Sequence, residues 1–196
     1  LGAPKDEAEL RDMLYTMIEH PAPAAMRYPR GNGVGADISK SPKLMEIGKA
    51  EILRQGNEVA ILAYGSMVSP AMQAAENLEK SGIDATVINA RFVKPLDAEL
   101  ILALAQTNRL IVTVEEAYLA GGFGSAVLEL LEENGLQDKI KVVRMGVPDR
   151  IITHGDAKLL LAKYGLDADG IEQKVKETIE ILEERRVGKK RLKIVS

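Results

Sequence analysis

The 196-residue chain carries 26 Lys and Arg against 29 Asp and Glu, a formal net charge of −3, and 46% of its residues are hydrophobic. This balance fits a soluble globular protein of one large or two small domains, long enough to bury a core without a metal or disulfide staple. The lack of cysteine excludes disulfides, thiolate zinc sites and a thiol nucleophile, and two distant histidines, His20 and His154, exclude a His-rich metal site.

From the N-terminus, Asp6 reads as the cap of a first helix, with Glu9 as its reciprocal partner three residues on. Leu10, Met13, Leu14, Met17 and Ile18 recur at helical spacing and predict one apolar face. Pro21 and Pro23 end the helix, Ala24 to Tyr28 reads as extended, and Pro29 with the Gly31–Gly35 loop stops it. Residues 36–44 are polar and turn-rich, the composition of an interdomain linker.

A regular pattern follows. Ile47–Arg54 predicts a strand, turned through Gln55-Gly56-Asn57 into the apolar run Glu58–Ala63, a buried central strand expected to lie antiparallel beside the first. Helices are expected over 69–81, 96–107, 124–134, 156–164 and 169–185, and strands over 85–90, 110–114 and 140–145. This alternation implies crossover connections. The fold class is therefore α/β, three layers (α/β/α) around a mixed, mostly parallel sheet of about five strands. Arg185 to Ser196 hold six basic residues and no acid, read as a solvated tail from 186 onward. Basic residues are not interleaved with aromatics and no apolar run reaches membrane-spanning length, so neither nucleic acid nor a membrane is an expected partner. The N-terminus has no signal-peptide profile, and a reducing, cytoplasmic setting suits the composition.

Chemistry is expected at the loops that follow the strand C-termini. Gly121-Gly122-Phe123-Gly124 opens a helix after a strand, as a phosphate cradle does. It has Val127 where a dinucleotide fingerprint has glycine and lacks the Lys-Ser/Thr of a P-loop, so a tight strand-to-helix turn is the favoured reading. Glu115 and Glu116, adjacent on a strand, point to opposite faces and suit helix-terminus or interface contacts better than paired acid–base catalysis. His154 beside Gly155 reads as a structural hydrogen-bonding residue. The sharper signal is Arg27-Tyr28-Pro29-Arg30-Gly31, two planar guanidinium forks around a proline, the chemistry of a phosphate or carboxylate clamp.

That segment resembles the R-Y-P-R-G signature of the 1-deoxy-D-xylulose-5-phosphate synthase family, within the transketolase-like thiamine-diphosphate enzymes. Further matches are Ala3-Pro4-Lys5-Asp6-Glu7, Arg91-Phe92-Val93-Lys94-Pro95-Leu96-Asp97, Val112-Thr113-Val114-Glu115-Glu116, Gly121 to Ser125, Pro148-Asp149 and His154-Gly155. The resemblance reaches to about Glu184. It implies a transferase that condenses pyruvate with D-glyceraldehyde 3-phosphate, with loss of carbon dioxide, in isoprenoid and thiamine precursor synthesis. It also implies thiamine diphosphate, Mg2+ and a homodimer.

On this resemblance Arg30 is the substrate-phosphate residue. No catalytic, cofactor-binding or metal-binding residue is carried over, because the family's cofactor-anchoring motif, activating glutamate and active-site histidines have no counterpart here. Residues 1–35 then match the end of the pyrimidine-binding domain, 36–44 a linker, and 45–185 a transketolase C-terminal-like domain. The chain is expected to be a C-terminal portion, inactive alone, whose partners are the upstream part of the enzyme and a second subunit. With the N-terminus missing, a plastid location stays open beside the cytoplasm. Two other readings remain: a non-catalytic nucleotide- or effector-binding module, and the C-terminal half of a split transketolase or a 2-oxoacid dehydrogenase β-subunit.

Overall fold

The structure is a computed structural model that describes the backbone of residues 1–194 and the side chains of residues 1–186. After α1 (Glu7–Glu19) and a long irregular segment come β1 (Glu51–Arg54), β2 (Val59–Tyr64), a short 3-10 turn and α2 (Val68–Lys80). β3 (Ala85–Asn89), α3 (Ala98–Thr107), β4 (Leu110–Tyr118) and α4 (Phe123–Glu133) follow, then β5 (Lys141–Val147), α5 (Ala157–Lys163) and α6 (Ala168–Ile194).

The five strands form one sheet in the order β1-β3-β2-β4-β5, with β1 antiparallel to β3 and the other pairings parallel. Every residue of β2 is buried, as a strand covered on both faces requires. Alternate side chains divide the core. Ile61, Ala63, Val87, Val112 and Val114 pack with α2 and α6, through Ala71, Ala74, Leu78, Ile171 and Val175. Ala60, Leu62, Ile88 and Ile111 pack on the other face with α3 and α4, through Ile101, Leu104, Val127 and Leu131. This is the expected three-layer α/β/α arrangement. No helix among the described residues is long and apolar enough to cross a membrane.

Four expectations are corrected. β1 is antiparallel, but its partner is β3 rather than β2. β1 is short, charged at both ends and only partly covered, which suits a sheet edge. The chain passes the start of β3 on its way to β2, so close that a Cβ on Gly56 would lie 2.5 Å from the Ala85 carbonyl carbon. The apolar stripe of α1 is only partly covered: Met13 is fully buried, whereas Leu14 and Ile18 are 48% and 70% exposed. The buried face instead carries Glu9, Met13 and Thr16, spaced i, i+4, i+7. Asp6 does cap α1, but Glu9 is not its reciprocal partner: the Glu9 carboxylate, drawn toward the sheet, accepts from the Lys5 N–H (2.7 Å), one residue before the cap. The backbone of α6 continues as helix through Ile194, past the expected end at Arg185; residues 195–196 of the basic tail lie outside the described residues.

Candidate functional site

The N-terminal residues thread the site together. Gly2 forms isolated bridges to Met26 and Phe92; its N–H donates to the Ala25 carbonyl (3.0 Å) and its carbonyl accepts from Arg27 (2.9 Å), while Ala3 donates to the Arg91 carbonyl (2.9 Å). These bonds lay residues 25–27 beside the C-terminal edge of the sheet, where the turn after β2 meets the end of β4. The Arg27 guanidinium there donates to the Glu116 carbonyl, and the Glu116 carboxylate accepts from Ser66 Oγ at 2.6 Å.

Two cavities flank this segment. One, of about 450 Å³, is lined by Arg27, Glu116, Tyr118, Val147, Leu160 and Tyr164 among others. The second, of about 270 Å³, is lined by residues that include Lys5, Glu7, Tyr28, Asn32, Ser66 and Ser69. Tyr64 stacks on Phe123 with centroids 5.3 Å apart. Burial pushes its hydroxyl up to about 12, against the opposing charge of Arg27, so it stays a neutral phenol.

Glu115 and Glu116 diverge as their adjacency implies. The buried Glu115 carboxylate accepts the N–H groups of Phe123 and Gly124, both at 2.8 Å. It thereby takes the donors at the N-terminus of α4 that an anion would otherwise need. Ser125 Oγ ties down the rest of the loop, bonding Gly121 N–H (3.1 Å), the Leu119 carbonyl (2.8 Å) and Arg144 Nη1 (2.8 Å). The glycine loop is therefore a strand-to-helix turn whose anion is supplied by the protein itself.

Arg30 lies on the exposed loop beyond Pro29, and His154 is exposed in the loop after β5. Of the two arginines, Arg27 is the one anchored to the sheet edge. No group of three or more His, Asp or Glu side chains suited to a metal occurs among the described residues. With the α4 N-terminus also occupied, these residues do not fit a magnesium–diphosphate group.

Sequence reasoning missed a charged cluster at the end of β3: Glu9, Glu51, Asn89, Arg91 and Lys5. The available signal was a polar Asn89 and a charged Arg91 directly after an apolar strand, at the edge where sites form.

With this geometry in place, comparison with known proteins is decisive for the family. The pattern of the transketolase C-terminal domain matches residues 48–171. The chain belongs to the transketolase C-terminal domain family. It is 55% identical over 174 residues to 1-deoxy-D-xylulose-5-phosphate synthase 1 of Geobacter metallireducens, a match that covers 89% of this chain and 28% of that protein. It is 53% identical over 194 residues to the synthase of Pelotomaculum thermopropionicum, covering 99% of this chain and 30% of that one. The chain thus resembles the C-terminal portion of these synthases and spans less than a third of their length. Among solved structures, one described as a split gene transketolase, inactive beta4 tetramer, has a TM-score of 0.79 and 35% identity over 90% of this chain and 56% of that one. A transketolase mutant from Pichia stipitis, at 21% identity and a TM-score of 0.53 over 68% of this chain and 18% of that one, shows the shared transketolase fold alone.

Proposed function

We propose that this chain acts as the C-terminal part of a 1-deoxy-D-xylulose-5-phosphate synthase. Such an enzyme is a transferase that condenses pyruvate with D-glyceraldehyde 3-phosphate, releases carbon dioxide and feeds isoprenoid and thiamine synthesis. The observation that carries this reading is the identity above 50% to such synthases along nearly the whole chain. Residues 1–35 then close the preceding domain, 36–44 link, and 45–185 form the C-terminal domain, with a basic extension from 186. The complete enzyme works as a cytoplasmic homodimer with thiamine diphosphate and Mg2+, which supply the carbanion chemistry on pyruvate and are held by residues outside this chain.

The part assigned to this chain is recognition of the phosphorylated substrate. Arg30, on the exposed loop, provides a fixed cation for the phosphate dianion. Arg27, bonded to the Glu116 carbonyl, keeps the preceding backbone at the sheet edge. Loss of one charge-assisted hydrogen bond costs about 1.5–3 kcal/mol, or about one to two decades in kcat/KM. Arg30→Ala in the complete enzyme should therefore raise the KM for glyceraldehyde 3-phosphate far more than that for pyruvate. Arg30→Lys should restore only part, since it keeps charge without the planar fork. Both KM values within twofold of the parent would refute the role.

The chain alone should form no product, and addition of the upstream part should restore it. Product from the chain by itself, free of the complete enzyme, would overturn this assignment.

A second reading is favoured by the likeness to the split gene transketolase chain: a separately made subunit rather than one part of a longer polypeptide. The length of the polypeptide in cell extract decides between them: about three times that of this chain for the complete enzyme, and well below that for a separate subunit. The effector-module reading loses support because Glu115 already fills the glycine loop.

A further inference from the structure

The stretch that bears Arg30 runs on through Asn32 to Ala36 without regular secondary structure and is exposed along most of its length. Backbone of that kind samples many conformations, at about 1–2 kcal/mol per residue to fix, and a guanidinium carried on it needs an anchor on each side to hold a phosphate geometry. The upstream anchor is the pairing of Gly2 with residues 25–27.

The downstream anchor is Glu7. One of its carboxylate oxygens accepts the Val34 N–H at 3.0 Å, and the other accepts Gly35 and Ala36 at 2.6 and 2.8 Å. Successive main-chain N–H groups that converge on one anion form a nest, and here the anion belongs to the first turn of α1. The fit is close: a Cβ on Gly33 would lie 2.5 Å from the Glu7 carboxyl carbon. Gly35 has φ +88°, a conformation that glycine adopts freely. Later turns of α1 continue the attachment. Arg11 donates to the carbonyls of Ile38 and Lys40, Asp12 accepts from Lys43 (3.3 Å), and Thr16 Oγ1 accepts from Met45 (2.9 Å). Residues 34–45 are thus strapped along α1 by side-chain bonds to their backbone, and Glu7 holds the end nearest Arg30.

We propose that Glu7 is a positioning residue for Arg30: by fixing Val34–Ala36 to α1 it sets where the Arg30 loop lies, and so where the substrate phosphate is met. The functional half of this proposal rests on the phosphate reading given above.

Three variants test it. Glu7→Ala removes all three acceptor bonds; Glu7→Gln keeps one oxygen and turns the other into a donor. Gly33→Ala displaces the carboxylate without altering its charge. In the chain itself, amide hydrogen exchange at Val34, Gly35 and Ala36 should quicken about tenfold or more in Glu7→Ala, while amides of β2 and β4 keep the parent rates. In the complete enzyme, the KM for glyceraldehyde 3-phosphate should rise about tenfold in Glu7→Ala and less in Glu7→Gln, with kcat and the pyruvate KM within twofold. Gly33→Ala should show the same split. Unchanged exchange at the three amides would overturn the anchoring. Faster exchange with an unchanged KM, in an enzyme where Arg30→Ala raises that KM, would overturn the positioning role. If Arg30→Ala leaves the KM untouched, the phosphate reading falls and the positioning role with it, while the exchange data decide the anchoring separately.

Discussion

Arg91 Nε lies 2.7 Å from a carboxylate oxygen of Glu9, joining the end of β3 to the first turns of α1 across 82 positions of sequence. The Glu9 carboxylate is nearly fully buried and also accepts Asn89 Nδ2 at 2.8 and 3.0 Å and the Lys5 N–H at 2.7 Å. Glu51 closes the cluster, 3.0 Å from Lys5 Nζ and 2.9 Å from Arg91 Nη2. Burial pushes the Glu51 carboxyl up, but Lys5, Arg91 and Asn89 outweigh it and hold the group below its ordinary value. Arg91 has φ +56°, a left-handed conformation that surrounding bonds must hold for a residue with a Cβ. Removing one partner of a buried ion pair strands the others. Glu9→Ala should therefore destabilise the chain by about 3 kcal/mol in urea unfolding. A loss of only a few tenths would show that solvent replaces Glu9 without cost.

Glu115 makes stability depend on pH in an unusual direction. Burial holds its carboxyl above the ordinary value, against the Gly124 and Phe123 amides and the charges of Arg27 and Arg144, all of which favour ionisation. A raised value means that the folded chain binds this proton more tightly than the unfolded one. The associated stability is full below the ordinary carboxylate pKa and is lost as pH rises through the raised one. Urea midpoints taken between about pH 4 and pH 7 should carry this downward component in the parent chain and lack it in Glu115→Gln. Identical pH profiles would show that Glu115 titrates as it does in the unfolded chain.

Thr113 is wholly buried in β4, and its Oγ1 has no hydrogen-bond partner among the described residues. It lies under α4, where a Cβ on Gly124 would come 2.5 Å from that oxygen. A buried hydroxyl without a partner is a desolvation cost, and valine has nearly the same shape. Thr113→Val should stabilise the chain by about 1 kcal/mol. A loss of stability on thermal unfolding would mean that the hydroxyl is satisfied in solution.

Leu14 and Ile18 on α1, with Tyr118, Ile151 and Leu159 at the other end of the site, leave large apolar side chains exposed. Surfaces of this kind favour association. Light scattering at high micromolar concentration should show a dimer or larger species, and a clean monomer would count against self-association through these faces.

Element type and order were legible in the sequence because they rest on local pattern. The uniform apolar run of β2 announces a strand covered on both faces, and Asp6 marks a helix start that the structure uses as an N-cap. Glu115 and Glu116 had to diverge because side chains alternate along a strand. Periodicity describes what a segment offers, though, and not what covers it. Leu10, Leu14 and Ile18 repeat at helical spacing, yet α1 turns Glu9 and Met13 inward, since the Asn89–Arg91 corner supplies donors for a buried carboxylate. The partner of β1 was likewise a matter of tertiary pairing, since a short turn permits a hairpin without requiring one. At the candidate site, Arg27-Tyr28-Pro29-Arg30-Gly31 stood out by residue type alone. That Arg27 reaches the Glu116 carbonyl, that Glu115 fills the glycine loop, and that Glu7 binds the backbone 27 to 29 positions downstream are contacts between distant segments. Only the folded backbone brings those groups within hydrogen-bonding distance, because no local regularity of the sequence encodes which carboxylate meets which amide.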